Sequence, residues 1–343
     1  MTKIKKTFLF LFGGLFIISW IGGGVFYYTA THPFVEENNQ APVSVEITSG
    51  MTLNKISALF EERDLIGNSL AFQLLAFLQE KQGQIQVGEY ELSPSMTPMD
   101  ILDVVTSGKT ILHAVTIPEG YRITEIAVLL ESKGLVNAEK FIQETKDEEL
   151  IQSAGIAGNS LEGYLFPETY NFSKNTSERK IIQRLLDIYH EKIKQHELRK
   201  RAQSSNLSFH QVMTLASLIE KETGIDEERK LISSVFHNRL RKKMLLQTDP
   251  TVIYAMANFD GNIRKKDLQI DSPYNTYRYK GLPPGPIASP GIKSIIAALE
   301  PSESDYLYFV SRKDGSHQFS SNLMDHNRAV RKYQLRRVAR VKQ

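Results

Sequence analysis

The chain has no cysteine and only one tryptophan in 343 residues. Without cysteine there is no disulfide framework, no thiolate nucleophile and no thiolate-bound metal. Charge of one sign is scarce as well: the formal net charge is +3 at pH 7, too small to point to nucleic acid. No His-Glu-x-x-His occurs and the eight histidines are scattered, which argues against a zinc hydrolase. Gly108-Lys109-Thr110 copies the end of a P-loop, but Asp103 stands where its first glycine is required. There is no Gly-x-Ser-x-Gly elbow, and no Gly-x-Gly-x-x-Gly follows a strand. Nothing therefore calls for a metal or another cofactor. Carboxylates, amides and tyrosines remain, the side chains of a sugar-processing site.

Only one apolar run is long enough to cross a bilayer. Residues 7–28 carry no charge and follow Lys3, Lys5 and Lys6, with Glu36 and Glu37 on the far side. About 20 apolar residues span a hydrocarbon core, so the expectation is a cytoplasmic tail over 1–6 and a transmembrane anchor over 7–28. The lysines orient such an anchor with the C-terminal part outside the cytoplasm, a single-pass protein of the cell inner (plasma) membrane. Trp20, Tyr27 and Tyr28 suit the outer headgroup level. Thr29-Ala30-Thr31-His32-Pro33 is a poor cleavage site for a signal peptide. Residues 29–43 read as a polar linker.

A repeat follows. Val45-x-Ile47-x-x-Gly50-x-x-Leu53-x-x-Ile56-x-x-Leu59 with Leu65 returns as Val115-x-Ile117-x-x-Gly120-x-x-Ile123-x-x-Ile126-x-x-Leu129 with Leu135. Each copy reads as an alternating strand, a glycine turn and an amphipathic helix. Gly88–Leu92 and Met99–Val105 repeat the pattern in a shorter form. Residues 44–137 are thus expected to form a small βα module resembling LysM-like units, either touching glycan or serving as a spacer. From residue 138 to 343 helical periodicity dominates, with short strands at Tyr306–Val310 and His317–Phe319 around the Lys313-Asp314-Gly315 turn. The expected class is α+β: a transmembrane helix, a βα module, then a mostly helical catalytic domain. The basic tail from Arg328 to Lys342 reads as a solvated helix face, or as contact with an anionic surface.

Ser208-x-x-Gln211 is a capping box that opens a helix ending near Gly224. At 100° per residue, Val212, Leu215, Ala216 and Ile219 form its buried stripe, and Glu220 falls at the stripe's edge. Lys221 points elsewhere. A carboxyl held against small apolar residues with no cation on its own helix is expected to keep its proton, as a general acid must. The bland alternative is a boundary glutamate paired with an arginine from elsewhere, such as Arg239. Glu222, at the other edge, is the weaker candidate.

Around this helix stand Ala216–Thr223, His237-Asn238-Arg239-Leu240, Leu246–Tyr254, Ser272–Tyr277 and Gly281–Ile287. Leu161–Tyr170 lies upstream, and Phe319-Ser320 with His326-Asn327 downstream. From about residue 45 to 332 this set resembles the endolytic murein transglycosylase (MltG or YceG-like) family. The resemblance implies that Glu220 protonates the glycosidic oxygen between N-acetylmuramic acid and N-acetylglucosamine. It then implies that Glu220 acts as base while the sugar's 6-hydroxyl attacks C1, leaving a 1,6-anhydro end. One carboxylate suffices because no water needs activating, whereas a hydrolase ordinarily needs two.

Gln247, Asp249 and Tyr254 suit hydrogen bonds to sugar hydroxyls and acetamides. Tyr274, Asn275 and Tyr277 offer rings and an amide for a glycan groove. Plain turn chemistry is the competing reading for these loops. Glu168 is either a second substrate-contacting carboxylate or a cap. His317 and His326 read as structural or surface residues. The implied partners are peptidoglycan strands and synthases of the same membrane. A peptidoglycan hydrolase and a non-enzymatic wall-binding scaffold remain as alternatives.

Overall fold

The computed structural model describes residues 20–35 and 41–335. Most of the expected anchor (7–19), part of the linker (36–40) and the basic tail beyond 335 lie outside these residues. The architecture is mostly helical, and its strands make only two-stranded sheets among the described residues. The expected α+β class with an N-terminal membrane helix is therefore corrected. Among the described residues no helix is long and apolar enough to cross a membrane. The described helix over 20–31 rises only about 18 Å at 1.5 Å per residue, against a core of about 30 Å. Its Ala30 and Phe26 pack into a protein core together with Phe60 and Tyr90.

Two compact units form: Met1–His113 with Asn171–Asn175, and Ala114–Tyr170 with Thr176–Gln343. In the first, β1 (Val43–Ile47) pairs antiparallel with β2 (Gly88–Leu92), Val45 opposite Tyr90. Helices α1 (Leu53–Glu62), α2 (Ser69–Leu78) and α3 (Pro98–Ser107) cover the ribbon. Thr52, Asn68 and Thr97 cap them with their side chains, which satisfies otherwise orphaned N–H groups. Phe60 and Phe72 meet edge to face at 5.4 Å.

The two βα copies do not build one module. The first copy's helix, α1, belongs to the first unit; the second copy's helix, α4 (Ile123–Ser132), belongs to the second. The strand β3 (His113–Thr116) pairs with β4 (Thr169–Phe172), about fifty residues on, rather than with β1 or β2. Local pattern sets a strand and a glycine turn. Which strand it pairs with is a long-range choice that the pattern does not carry.

The second unit continues through α5 (Ala138–Glu144), α6 (Glu148–Ser153), α7 (Glu178–Gln195), α8 (Leu198–Ala202), α9 (Phe209–Glu222) and α10 (Asp226–Arg241). After α11 (Asp249–Ala255) and α12 (Ile292–Leu299), the hairpin β5 (Tyr308–Ser311)–β6 (His317–Ser320) leads to α13 (Leu323–Val330). Helices α7 and α8 are separated at Glu197, which takes a left-handed φ of 49°. Helix α9 runs through the middle of this unit. Its Ser208 capping box is formed, and every residue from Val212 to Ile219 is buried, not one stripe alone. Each fully buried Leu or Ile contributes roughly 1.5–3 kcal/mol, so α9 is the rigid element on which a site can be built.

Candidate active site

Glu220 sits at the exit of α9, where the helix leaves the core. Three further segments converge on it. The first is a Pro/Gly-rich strap, residues 284–291, laid along α9. The His210 ring donates from Nε2 to the Pro284 carbonyl (2.8 Å) and meets the Tyr164 hydroxyl at Nδ1 (2.7 Å). Farther along, the Ile287 N–H donates to Ser217 Oγ (3.0 Å), and the Gly291 N–H donates to Glu220 Oε2 (3.0 Å). His210, Ser217 and Glu220 follow one another at spacings of seven and three residues, so one helix face holds the whole strap.

The second segment is the turn at Glu119-Gly120-Tyr121. Gly120 has a left-handed φ of +77°, which glycine alone adopts freely. Its N–H donates to Ser289 O (2.8 Å), and Ser289 N–H donates to Tyr121 O (2.8 Å). Lys221 Nζ donates to the Gly120 carbonyl (3.1 Å). A Cβ on Gly120 would stand 3.7 Å from Glu220 Cγ, so the turn lies against the glutamate. Gly291 leaves room for the neighbouring acid: a Cβ there would overlap the Glu119 carboxylate.

The third is the start of α10. Arg229, 6% exposed at its side chain, faces Glu220 Oε1 through Nη2 at 3.5 Å and Glu119 Oε2 through the same nitrogen at 3.8 Å. Its other nitrogens are committed, Nε to Ser294 Oγ (3.1 Å) and Nη1 to Asp226. Asp226 also pairs with Lys293, and these two cations hold its carboxyl below the usual range. Glu220 therefore has a cation after all, from the next helix and not from Arg239. The guanidinium of Arg239 is spent on the carbonyls of Leu307, Leu245 and Leu246. The Glu220 side chain is 6% exposed and Glu119 46%. Burial, then the charge of Glu220, pushes the Glu119 carboxyl up.

Glu222 turns away from this cluster. It accepts from the Thr248 hydroxyl, and burial pushes its carboxyl up to about 7. Asp249, at the start of α11, is exposed and accepts from the Tyr277 hydroxyl (2.5 Å). The Gln247 backbone has a left-handed φ of 49°, its N–H donates to Thr276 O (3.1 Å), and its side chain is left at the surface. Asn275 is wholly enclosed: its amide donates to the carbonyls of Leu268 (3.1 Å) and Ile270 (2.8 Å), and its oxygen accepts from Tyr277 N–H (3.0 Å). These bonds close the 268–277 loop.

Tyr254 and Tyr274 meet at 4.7 Å between ring centroids, with Arg122 over the Tyr254 ring. The Tyr254 hydroxyl reaches Glu162 (3.4 Å). Glu162, which the sequence reading passed over, also accepts from the Ile123 N–H (3.1 Å), and burial pushes it up to about 7. Glu168 is in none of these clusters. It pairs with Lys192 (3.2 Å), and the Thr169 N–H and Lys192 hold its carboxyl low. His317 is bonded to Glu228 (2.7 Å) and His326 stacks on Tyr308. The residues missed from sequence, Glu119, Gly120, Arg229 and Gly291, had a signal only in part: Glu119-Gly120 closes the strand of the second βα copy. Nothing local marked Arg229.

Residues 45–332 match the model of the YceG-like family. The chain is 36% identical over 329 residues to an endolytic murein transglycosylase of Bacillus subtilis, covering 91% of each. It is 32% identical over 328 residues to a Streptococcus pneumoniae protein of the same name, covering 86% of this chain and 59% of that longer one. A crystal structure of a YceG-like protein from Listeria monocytogenes is similar at a TM-score of 0.59 and 36% identity, over 84% of this chain and 98% of the other. Matched along most of its length by the family model and by relatives above 30% identity, the chain belongs to the YceG-like family.

Proposed function

We propose that this protein is an endolytic murein transglycosylase, a lyase that cuts peptidoglycan glycan strands internally, with Glu220 as its single acid and base. Glu220 protonates the glycosidic oxygen, then takes the proton of the sugar's own 6-hydroxyl as that oxygen closes on C1. The products are a free hydroxyl on one sugar and a 1,6-anhydro end on the other. The observation that carries this reading is the hold on Glu220. The side chain is almost enclosed, Oε2 is fixed by the Gly291 N–H, and Oε1, facing Arg229 only at 3.5 Å, is the oxygen that gives and takes the proton. A carboxyl fixed in one rotamer by a backbone donor meets the geometric demand on a general acid. Tyr254, Tyr274 and Arg122 form an aromatic and cationic wall suited to sugar rings. Because peptidoglycan lies outside the cytoplasm, the protein acts there, shortening nascent strands beside the synthases that make them.

The test is product analysis on purified glycan strands by mass spectrometry. Glu220→Gln keeps the shape and the Gly291 bond but carries no transferable proton. It is expected to lose roughly 10²–10⁴-fold in rate while melting at the wild-type temperature. Wild-type release of anhydro ends by this variant overturns the reading. Reducing ends from the wild-type enzyme would instead mark a hydrolase, with Glu119 as the carboxylate that places water.

A further inference from the structure

We propose that Arg122 is a specificity-determining residue that reads a carboxylate carried by the muramic acid sugars of the strand. The proposal rests on the reading of this site as one for peptidoglycan, and it is independent of where the catalytic proton sits. Its chemical ground is the polymer itself. N-acetylglucosamine and N-acetylmuramic acid alternate, and they differ only in the lactyl ether that the second carries. An enzyme that cuts inside such a strand finds its register through that substituent. Where the peptide has been removed the lactyl group ends in a carboxylate; where it has not, the peptide brings carboxylates of its own. Both are planar anions that match the bidentate fork of a guanidinium.

Arg122 is the arginine of this site left over for that task. Arg229 is committed to Ser294, Asp226 and two glutamates, and Arg239 to three carbonyls. Among the described residues the Arg122 guanidinium makes no ion pair; its contact is the Tyr254 ring, 5.1 Å away at the centroid. A ring face can hold a guanidinium while its in-plane N–H donors stay free for oxygen. Glu125 accepts from the Arg122 backbone N–H (2.8 Å) and not from the guanidinium. The other acid that feels its charge is Glu162, and burial pushes that carboxyl up to about 7 against the pull of the Ile123 N–H and of Arg122. Below that pH, Glu162 does not offset the cation. The position fits as well. Arg122 leaves the same turn as Gly120, which lies against Glu220, and Tyr121 between them is tied to Ser289 of the strap. Tyr274, whose ring meets Tyr254 at 4.7 Å, sets its hydroxyl beside Gly285 at the other end of that strap. Arg122, Tyr254 and Tyr274 are all half-buried, so each keeps a side open to a ligand.

The experiment is equilibrium binding of soluble glycan strands to the full-length protein in detergent, carrying Glu220→Gln so that the strands stay uncut. Denuded strands and peptide-bearing strands are each compared with the same material after its carboxylates have been converted to methylamides. The charged form is expected to bind roughly tenfold tighter or more, the scale of a charge-assisted pair, and Arg122→Gln is expected to abolish the difference. Discrimination on denuded strands names the lactyl carboxylate as the ligand, and on peptide-bearing strands a peptide carboxylate. Equal binding of charged and amidated strands overturns the proposal, and that comparison needs no Arg122 variant to fold. A discrimination that survives Arg122→Gln overturns it too. Failure of the acid reading looks different: Glu220→Gln would still cut the strands, and KM for the charged and amidated forms would then decide in place of the dissociation constant.

Discussion

Two glutamates two residues apart on α9 meet opposite chemistry. Glu220 faces the Gly291 N–H and Arg229; Glu222, half-buried, accepts from the Thr248 hydroxyl. The folded state holds a proton on Glu222 up to about pH 7, above the ordinary value of 4.5. The unfolded chain releases that proton near 4.5, so between about 4.5 and 7 the folded state binds more protons and stability falls as pH rises. Glu222→Gln removes this loss. Thermal melts are expected to show the variant more stable than wild type at pH 8 and close to it at pH 5, with activity within a few-fold of wild type. A variant that melts lower at pH 8, or is inactive where Glu220→Gln is active, refutes the assignment. Periodicity was enough to send these two side chains to different sides of the helix. The arginine beside Glu220 was not legible, because it arrives from another helix.

At the scale of elements, the site depends on how the 284–291 strap lies on α9. Proline and glycine in Gly281–Ile287 marked a loop, and it has no regular secondary structure. Its path is set by polar groups on one helix face. Ser217, fully buried, accepts from the equally buried Ile287 N–H. Ser217→Ala leaves that N–H without a partner, and a buried unsatisfied group costs about 1–3 kcal/mol. The expected result is a lower melting temperature together with lost activity, since Gly291 and its bond to Glu220 are carried by the same strap. Gly163→Ala should destabilise as well: its φ is +84°, and a Cβ would overlap Pro286 of the strap. A Ser217→Ala enzyme with wild-type melting and rate would show that the strap is held by other means.

For the whole molecule, the two-unit organisation places every charged group around Glu220 within the second unit. The expected membrane helix is corrected among the described residues, but the proposed substrate still sets where the protein must work. A reporter that functions only in the cytoplasm, fused after Gln343, is expected to be silent. An active reporter would separate this chain from a wall-directed role. The α+β expectation failed for a physical reason: the βα repeat carries only local pattern, and the strands it sets down are short ribbons outweighed by helices.

By itself the sequence determined the elements whose causes are local. The Ser208 capping box and apolar spacing set α9 and put Glu220 at its edge. Glycines at 50 and 120 set left-handed turns after the strands, and the ordered motif blocks set the family. Tertiary structure alone decided the rest. It spent the Asn275 amide on closing a loop and bound Glu168 to Lys192. It also gathered Glu119, Arg229 and Gly291 around Glu220 from three separate segments, Arg229 from the next helix and the other two from far along the chain. Those choices depend on which surfaces meet when α9, α10, α12 and the strap pack together. Hydrogen bonds and charges across such contacts leave no period in the sequence from which to read them.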